Sequence, residues 1–541
     1  MFNKKRAVLF FIGMSICFTS LQISAQSDYS NYSKLTQKIK SLQRSNSSNS
    51  KLEELTTTIG GHKIWALTLS KGDAKNKPAI AIVSGVDGSH ILGPEMAVNI
   101  AENILKEHAD VLEKTTFYIF PNMSPNATEN YFSSLKHYNN GNAKNTDDDR
   151  DGVINEDPFE DLNNDGFITM MRVEDITGDY TKLEEDKRVL VKADLNKGEK
   201  GTYKLLTEGI DNDKDGLFNE DGKGGILFNK NFSFNYKYFT AGAGEHPVSE
   251  KEHRDLLAFL YDQWNIFAIV TLGPENNLSN PLKYNASGAK KRVITSVLKE
   301  DAALNKFLSE KYNTITKTKD APSSNGKGGS FFEWSYFHFG KLALSTPGWW
   351  VPKVKDSTKK ASKNTVVNYL NWAEKEKISN AFVDWKEIKH PDFPNQKVEV
   401  GGVSPYKMIN PPYNLVTEIS KKHTDFIIEL ANMQPNITLE NLTSESVGNG
   451  LTRISVDVHN SGLLPTHTEM GKKSRWLRKI KVAVTLNKNQ QIISGREITL
   501  VNSIDGDSTK KFSWLIKGNG SVSIEAGTSH TGIDTATIKL K

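Results

Sequence analysis

Two sets of residues in this chain have the types and spacing to do chemistry. The first is Asp87 and His90, in the turn GVDGSH that follows the apolar run Ala79–Val83. A carboxylate and an imidazole one helical turn apart can face one point, and both are metal-ligand types. The same residues also suit plainer work, Asp87 capping its own turn and His90 sitting buried and hydrogen-bonded. The second set is a run of three acidic units. Asp147-x-Asp149-x-Asp151-Gly152-x-x-Asn155-x-Asp157 is the first, and Asp161-x-Asn163-x-Asp165-Gly166-x-x-Thr169 the second. Asp211-x-Asp213-x-Asp215-Gly216-x-x-Asn219-x-Asp221 repeats the first almost letter for letter. Oxygen ligands at positions 1, 3 and 5, with a turn glycine at 6, are what a hard cation such as Ca²⁺ needs. Position 12 is Pro158, Arg172 and Gly222, so none is a complete EF-hand loop. The alternatives are structural calcium or plain Asp/Asn/Gly surface turns.

The elements around Asp87 and His90 read as strand, turn and helix. Ala79–Val83 is a β-type run, and a helical pattern follows Gly93-Pro94-Glu95 through Leu105. That order puts the turn at the carboxyl edge of a sheet, where ligands bind in open α/β folds. Further buried strands are expected at Thr116–Pro121, Ile266–Leu272 and Leu342–Trp350. A helix is expected over Glu250–Gln263, with Ser249 as N-cap and Glu252 three residues on, and another near Leu415–Met433.

These segments, in this order, resemble the zinc carboxypeptidase family of carboxypeptidase A type. The resemblance covers about residues 28–433 and implies an α/β fold, a mixed sheet flanked by helices. It also implies zinc and metallocarboxypeptidase activity. Aligned on Gly93-Pro94-Glu95, the family's first His ligand falls on Asp87 and its Glu ligand on His90. Its third ligand, a His, falls on Gly273, and its catalytic Glu on Gly348. Asn229 and Lys230 stand where the family's Asn and Arg grip the substrate's terminal carboxylate, and the substrate-facing Tyr falls on Ser324. Lysine keeps the charge of arginine but loses its planar two-pronged hydrogen bonding. Glycine offers neither a ligand atom nor a base. With no catalytic residue at the Glu position, the expectation is an impaired or inactive enzyme whose cleft binds a peptide or glycan. The alternative is a metal-dependent hydrolase with a rebuilt site, in which Asp87 and His90 hold zinc with a third ligand such as Glu275 or His338. A third reading is a surface-adhesion module in which calcium loops and the C-terminal domain matter and the cleft does not.

Composition bounds these readings. With 541 residues the chain has room for two or three domains. Met1–Gln26 has Lys4, Lys5 and Arg6, an apolar Ala7–Leu21 and Ser24-Ala25, the pattern of a signal peptide at 1–25. A secreted or periplasmic protein is expected, without a membrane anchor. Cys17, the single cysteine, lies inside that segment, which excludes disulfide and thiolate chemistry from the rest. Basic residues number 69 and acidic 64, so no charge footprint for nucleic acid is present. The acidic units form an insertion at about 145–222. Beyond Pro435-Asn436, short alternating runs separated by turn residues predict a C-terminal β-sandwich over 437–541, of immunoglobulin or fibronectin type.

Overall fold

The computed structural model describes residues 28–147, 152–154, 156–219, 224–323, 326, 328–354 and 361–541. The signal-peptide pattern, Asp149, Asp151, Asp221 and Ser324 lie outside the described residues.

The central sheet has six strands in the order Ser50–Thr57, Lys63–Leu69, Thr116–Phe120, Ala79–Ser84, Ile266–Leu272 and Leu342–Thr346. The first three are joined antiparallel, and the last four run parallel to one another. Parallel strands covered on both faces read as unbroken apolar runs, and Ala79–Ser84 is buried at every residue. Its side chains alternate between the two faces. Ile80 and Ile82 enter one core with Phe117, Ile119, Val270 and Leu344, while Ala81 and Val83 enter the other with Tyr118, Phe120 and Ile269. Each large aliphatic buried this way is worth about 1.5–3 kcal/mol of apolar transfer.

The first core is closed by the helices Leu92–Glu107 and Val416–Asn432, the second by Lys251–Asp262 and Phe331–Phe337. Leu92, Met96, Ile100 and Ile104 recur every four residues and lay one apolar stripe on the sheet. No side chain of its own caps that helix. The Leu92 N–H donates instead to Asn410 Oδ1 at 3.0 Å, and buried Glu95 in the first turn pairs with Lys38 at 2.9 Å. The helix at 251–262 departs from expectation at its start, because Glu250 is the capping position and Ser249 Oγ donates to the Glu250 carboxylate. A side-chain N-cap does form at Ser330, whose Oγ accepts from the Glu333 N–H, while the Glu333 carboxylate accepts from Ser330 Oγ and the Gly328 N–H.

The inserted region builds more than loops. Met170–Glu174, Tyr180–Lys182, Leu190–Lys192 and Tyr203–Thr207 join Phe382–Ile388 and Val398–Val403 in a second, antiparallel six-stranded sheet. The C-terminal region forms two antiparallel four-stranded sheets. Ile454, Val456, Val458 and Trp514 of one and Val482, Val484 and Ile524 of the other share a single core. The loop before Ile480–Thr485 docks this region on the first. Asp301 accepts from the Glu469 and Met470 N–H groups at 2.7 and 3.1 Å, and Thr468 Oγ1 donates to the Gly340 carbonyl at 2.9 Å. Among the described residues, no helix is long and apolar enough to cross a membrane.

Candidate functional site

The parallel strands Ala79–Ser84, Thr116–Phe120, Ile266–Leu272 and Leu342–Thr346 all end at one edge of the sheet, so the turns that follow them converge. The turn 85–91 enters at the centre. The Asp87 carboxylate accepts from the Ser89 N–H at 2.9 Å, and its carbonyl accepts from the His90 N–H at 3.1 Å. Asn410 fixes the turn from outside, donating to the Ser89 carbonyl at 2.8 Å while receiving Leu92. His90 is buried. Its Nε2 lies 2.8 Å from the Pro347 carbonyl, and since a carbonyl only accepts, Nε2 carries the proton. Burial pulls the imidazole pKa down, and the ring is neutral. Nδ1 has no hydrogen-bond partner and faces the Gly93 backbone, where a β-carbon would lie only 3.1 Å from it.

At Gly273 and Gly348, where the resemblance places the family's third ligand and catalytic Glu, an added side chain would meet close neighbours. A β-carbon on Gly273 would fall 2.5 Å from Val86 Cγ2. Gly348 has φ +73°, and a β-carbon there would fall 2.5 Å from Met96 Sδ and 2.8 Å from its Cε. Beside Gly273 lies the buried Glu275 carboxyl, with Oε2 3.8 Å from where that β-carbon would be. Burial pushes Glu275 up to about 7, against the hydrogen bond from Asn229 Nδ2 at 2.8 Å, and Glu333 and Asp87 add repulsion. Asn229 is spent on structure, since its Oδ1 also accepts from the Phe331 N–H at 3.0 Å. Lys230 Nζ donates to the Ala241 carbonyl at 3.0 Å. His338 Nδ1 meets Ser233 Oγ at 2.9 Å, away from the residues that line the cleft.

That cleft has a volume of about 620 Å³. Asp87 and His90 line it, and Trp349, Trp350 and Tyr138 give it an aromatic wall. Lys353, Lys363 and Asp320 also line it, Asp320 pairing with Lys353 at 3.6 Å. The aromatic and cationic lining was not singled out from sequence. The doublet Trp349-Trp350 directly after a strand end was the available signal.

The acidic units fall elsewhere. Asp147 accepts from the Gly152 N–H at 3.1 Å. In the second unit Asp161 accepts from the Asp165 and Gly166 N–H groups, Asn163 accepts from Asp165, and Asp165 accepts from Phe167. In the third, Asp211, Asp213 and Asp215 each bring one carboxylate oxygen within 4.8 Å of the others. Among the described residues this is the one group of three or more His, Cys, Asp or Glu so placed.

A cleft at the carboxyl edge of a mixed sheet, covered by helices on both faces, defines the class as an α/β fold with its site at the strand ends. The model of the family described as zinc carboxypeptidase matches residues 35–346, and a second, described as a domain of unknown function (DUF8731), matches residues 436–539. The first match spans more than half the chain, which therefore belongs to the zinc carboxypeptidase family. Similar solved structures include carboxypeptidase A from Helicoverpa armigera, at 10% identity over 75% of this chain and 73% of that one, TM-score 0.41. Thrombin activatable fibrinolysis inhibitor is 11% identical over 75% and 74%, TM-score 0.40. No curated protein matches the sequence.

The family implies zinc, and the residues here do not fit it. Zinc needs three protein ligands and an open position. Asp87 and His90 are joined by no third ligand among the described residues, and His90 spends its Nε2 proton on the Pro347 carbonyl.

Proposed function

We propose that this zinc carboxypeptidase-family protein is a zinc-free binder, which holds a peptide in the strand-end cleft and does not cleave it. The observation that carries this reading is the filling of the two lost positions. Val86 occupies the space beside Gly273, and Met96 the space beside Gly348. A larger side chain at Gly273 would have to displace buried Val86, and at Gly348 the left-handed backbone and the thioether end of buried Met96 stand against one. A peptide is favoured over a glycan because the cleft carries both charge signs, Asp87 and Asp320 against Lys353 and Lys363, beside an aromatic wall. A neutral sugar makes no use of those charges. The N-terminal pattern supports export, with cleavage after Ala25.

The test is the metal content of the purified protein after dialysis, followed by titration with a peptide library read by indole fluorescence. No bound zinc, no hydrolysis and saturable quenching that is lost in Trp350→Ala are expected. One zinc per chain, lost in Asp87→Ala or His90→Ala and accompanied by peptide hydrolysis, would establish the rebuilt hydrolase instead. Binding of glycans alone would overturn the peptide assignment.

A further inference from the structure

The third acidic unit repeats most of the second's turn bonds, with Asp213 accepting from the Asp215 N–H at 3.1 Å and Asp215 from the Leu217 N–H at 2.6 Å, but it differs at its first carboxylate. Its three carboxylates gather at one point, and the first of them is nearly removed from water. Asp211 is 9% exposed, and its Oδ1 is buried without a hydrogen-bond partner, while Oδ2 accepts from the Gly216 N–H at 3.2 Å. A buried carboxylate oxygen with nothing to satisfy it costs free energy unless a ligand supplies the missing partner. The lysine within the loop does not supply it. Lys214 turns to Asp392, at 2.6 Å, and to the Asp211 carbonyl. More negative charge lies near, for Asp157 is fully buried and accepts from Asn212 Nδ2 at 2.9 Å and from the Asn219 N–H at 2.7 Å.

We propose that Asp211, Asp213 and Asp215, with the Leu217 carbonyl at the seventh position, bind one Ca²⁺ ion. Oxygen donors at positions 1, 3 and 5 select a hard cation, and Gly216 at φ +89° lets the chain reverse behind it. Calcium is favoured over Mg²⁺ because it tolerates irregular, flexible oxygen sets, whereas Mg²⁺ demands near-ideal octahedral geometry. The ion would fix one wall of the molecule. Asn219, at the end of the loop, donates through Nδ2 to the Glu208 carbonyl and lines a cavity shared with Tyr138 and Asn140. Those two residues also line the strand-end cleft.

The experiment is calorimetric titration of the EDTA-treated, desalted full chain with CaCl₂, and separately with MgCl₂, beside thermal melts in each. Wild type is expected to bind Ca²⁺ at least tenfold more tightly than Mg²⁺ and to melt higher with calcium. Asp213→Asn and Asp215→Asn are expected to bind one ion fewer per chain than wild type, which separates this loop from the other acidic units. Asp215 is exposed, so its variant folds even if the Asp213 variant does not, and circular dichroism checks both. An unchanged stoichiometry in a folded variant, equal affinity for Mg²⁺, or no calcium bound at millimolar concentration would overturn the assignment.

Discussion

Replacing Gly348, where the resemblance places the family's catalytic Glu, with alanine tests whether the space there is closed. Two costs are expected, and the structure separates them. The backbone at 348 is left-handed, with φ +73°, which costs a residue bearing a β-carbon about 1–2 kcal/mol. The added carbon also lands 2.5 Å from Met96 Sδ and 3.4 Å from Leu92 Cδ2, both fully buried in the first core. Overpacking of that kind costs about 1–3 kcal/mol. Gly348→Ala should therefore lose about 2–5 kcal/mol in urea unfolding, monitored on the transition of the first region. Met96→Ala removes the obstructing side chain and is itself destabilising, by about 2–5 kcal/mol. In that background Gly348→Ala should cost the backbone strain alone, so the two changes couple by about 1–3 kcal/mol. Gly348→Glu should cost at least as much as alanine and bring no zinc. A Gly348→Ala variant within 0.5 kcal/mol of wild type, or costs that simply add, would refute the argument.

Further outcomes follow from buried groups near the junction with the C-terminal sheets. Lys341 is fully buried, with Nζ donating to the Ile266 and Trp476 carbonyls at 2.8 and 3.0 Å, and burial pushes its pKa down to about 7. Above that pH the folded chain lacks a proton that the unfolded chain keeps until about pH 10, so stability rises with pH by up to about 1.4 kcal/mol per unit. Unfolding at pH 7.5 and 9 should show about 2 kcal/mol of this rise in wild type and none of it in Lys341→Met. Asp301→Ala should cost about 2–4 kcal/mol, since it strips partners from Tyr336 Oη and the Glu469 and Met470 N–H groups, and limited proteolysis should then cut at 466–478.

The central sheet was legible because its strands are buried on both faces and so appear as apolar runs. Ile266–Leu272 was read to the residue, and Ala79–Ser84 to within one. The second sheet was not, for its strands are three to seven residues long, half-buried, and drawn from segments some two hundred residues apart. Three strands of the C-terminal region, Ile437–Gly448, Gln491–Ser494 and Gly532–Lys539, were also missed. The last alternates exposed and half-buried positions and carries little apolar signal. At the site, the resemblance set the family's third ligand on Gly273 and its catalytic Glu on Gly348, but nothing in the sequence showed what lies beside them. Val86 and Met96 are ordinary core residues in the sequence, and only the fold brings them to Gly273 and Gly348. The partner of His90 was equally hidden, because Pro347 lies 257 positions away.

The turns at the strand ends are tied to one another and to neighbouring segments by hydrogen bonds. In a metallopeptidase site the ion itself cross-links the turns, because its ligands come from different strand ends. Here hydrogen bonds join the same turns. His90 Nε2 ties the turn after Ala79–Ser84 to Pro347, beyond Leu342–Thr346. Glu275 ties the turn after Ile266–Leu272 to Asn229, and Asn229 ties that segment onward to the helix at Phe331. Asn410 clasps the turn at Ser89 and Leu92. Two of these groups, His90 and Asn229, are ones the resemblance would direct to metal or substrate. The imidazole that would meet an ion meets a carbonyl, and the amide that would grip a terminal carboxylate grips a buried one. Returning a single ligand would leave these bonds in place and the space beside Gly273 and Gly348 still filled. On the zinc-free reading proposed above, gaining zinc would require breaking this network of hydrogen bonds and packing, and single substitutions such as Gly273→His or Gly348→Glu should destabilise the chain without binding metal.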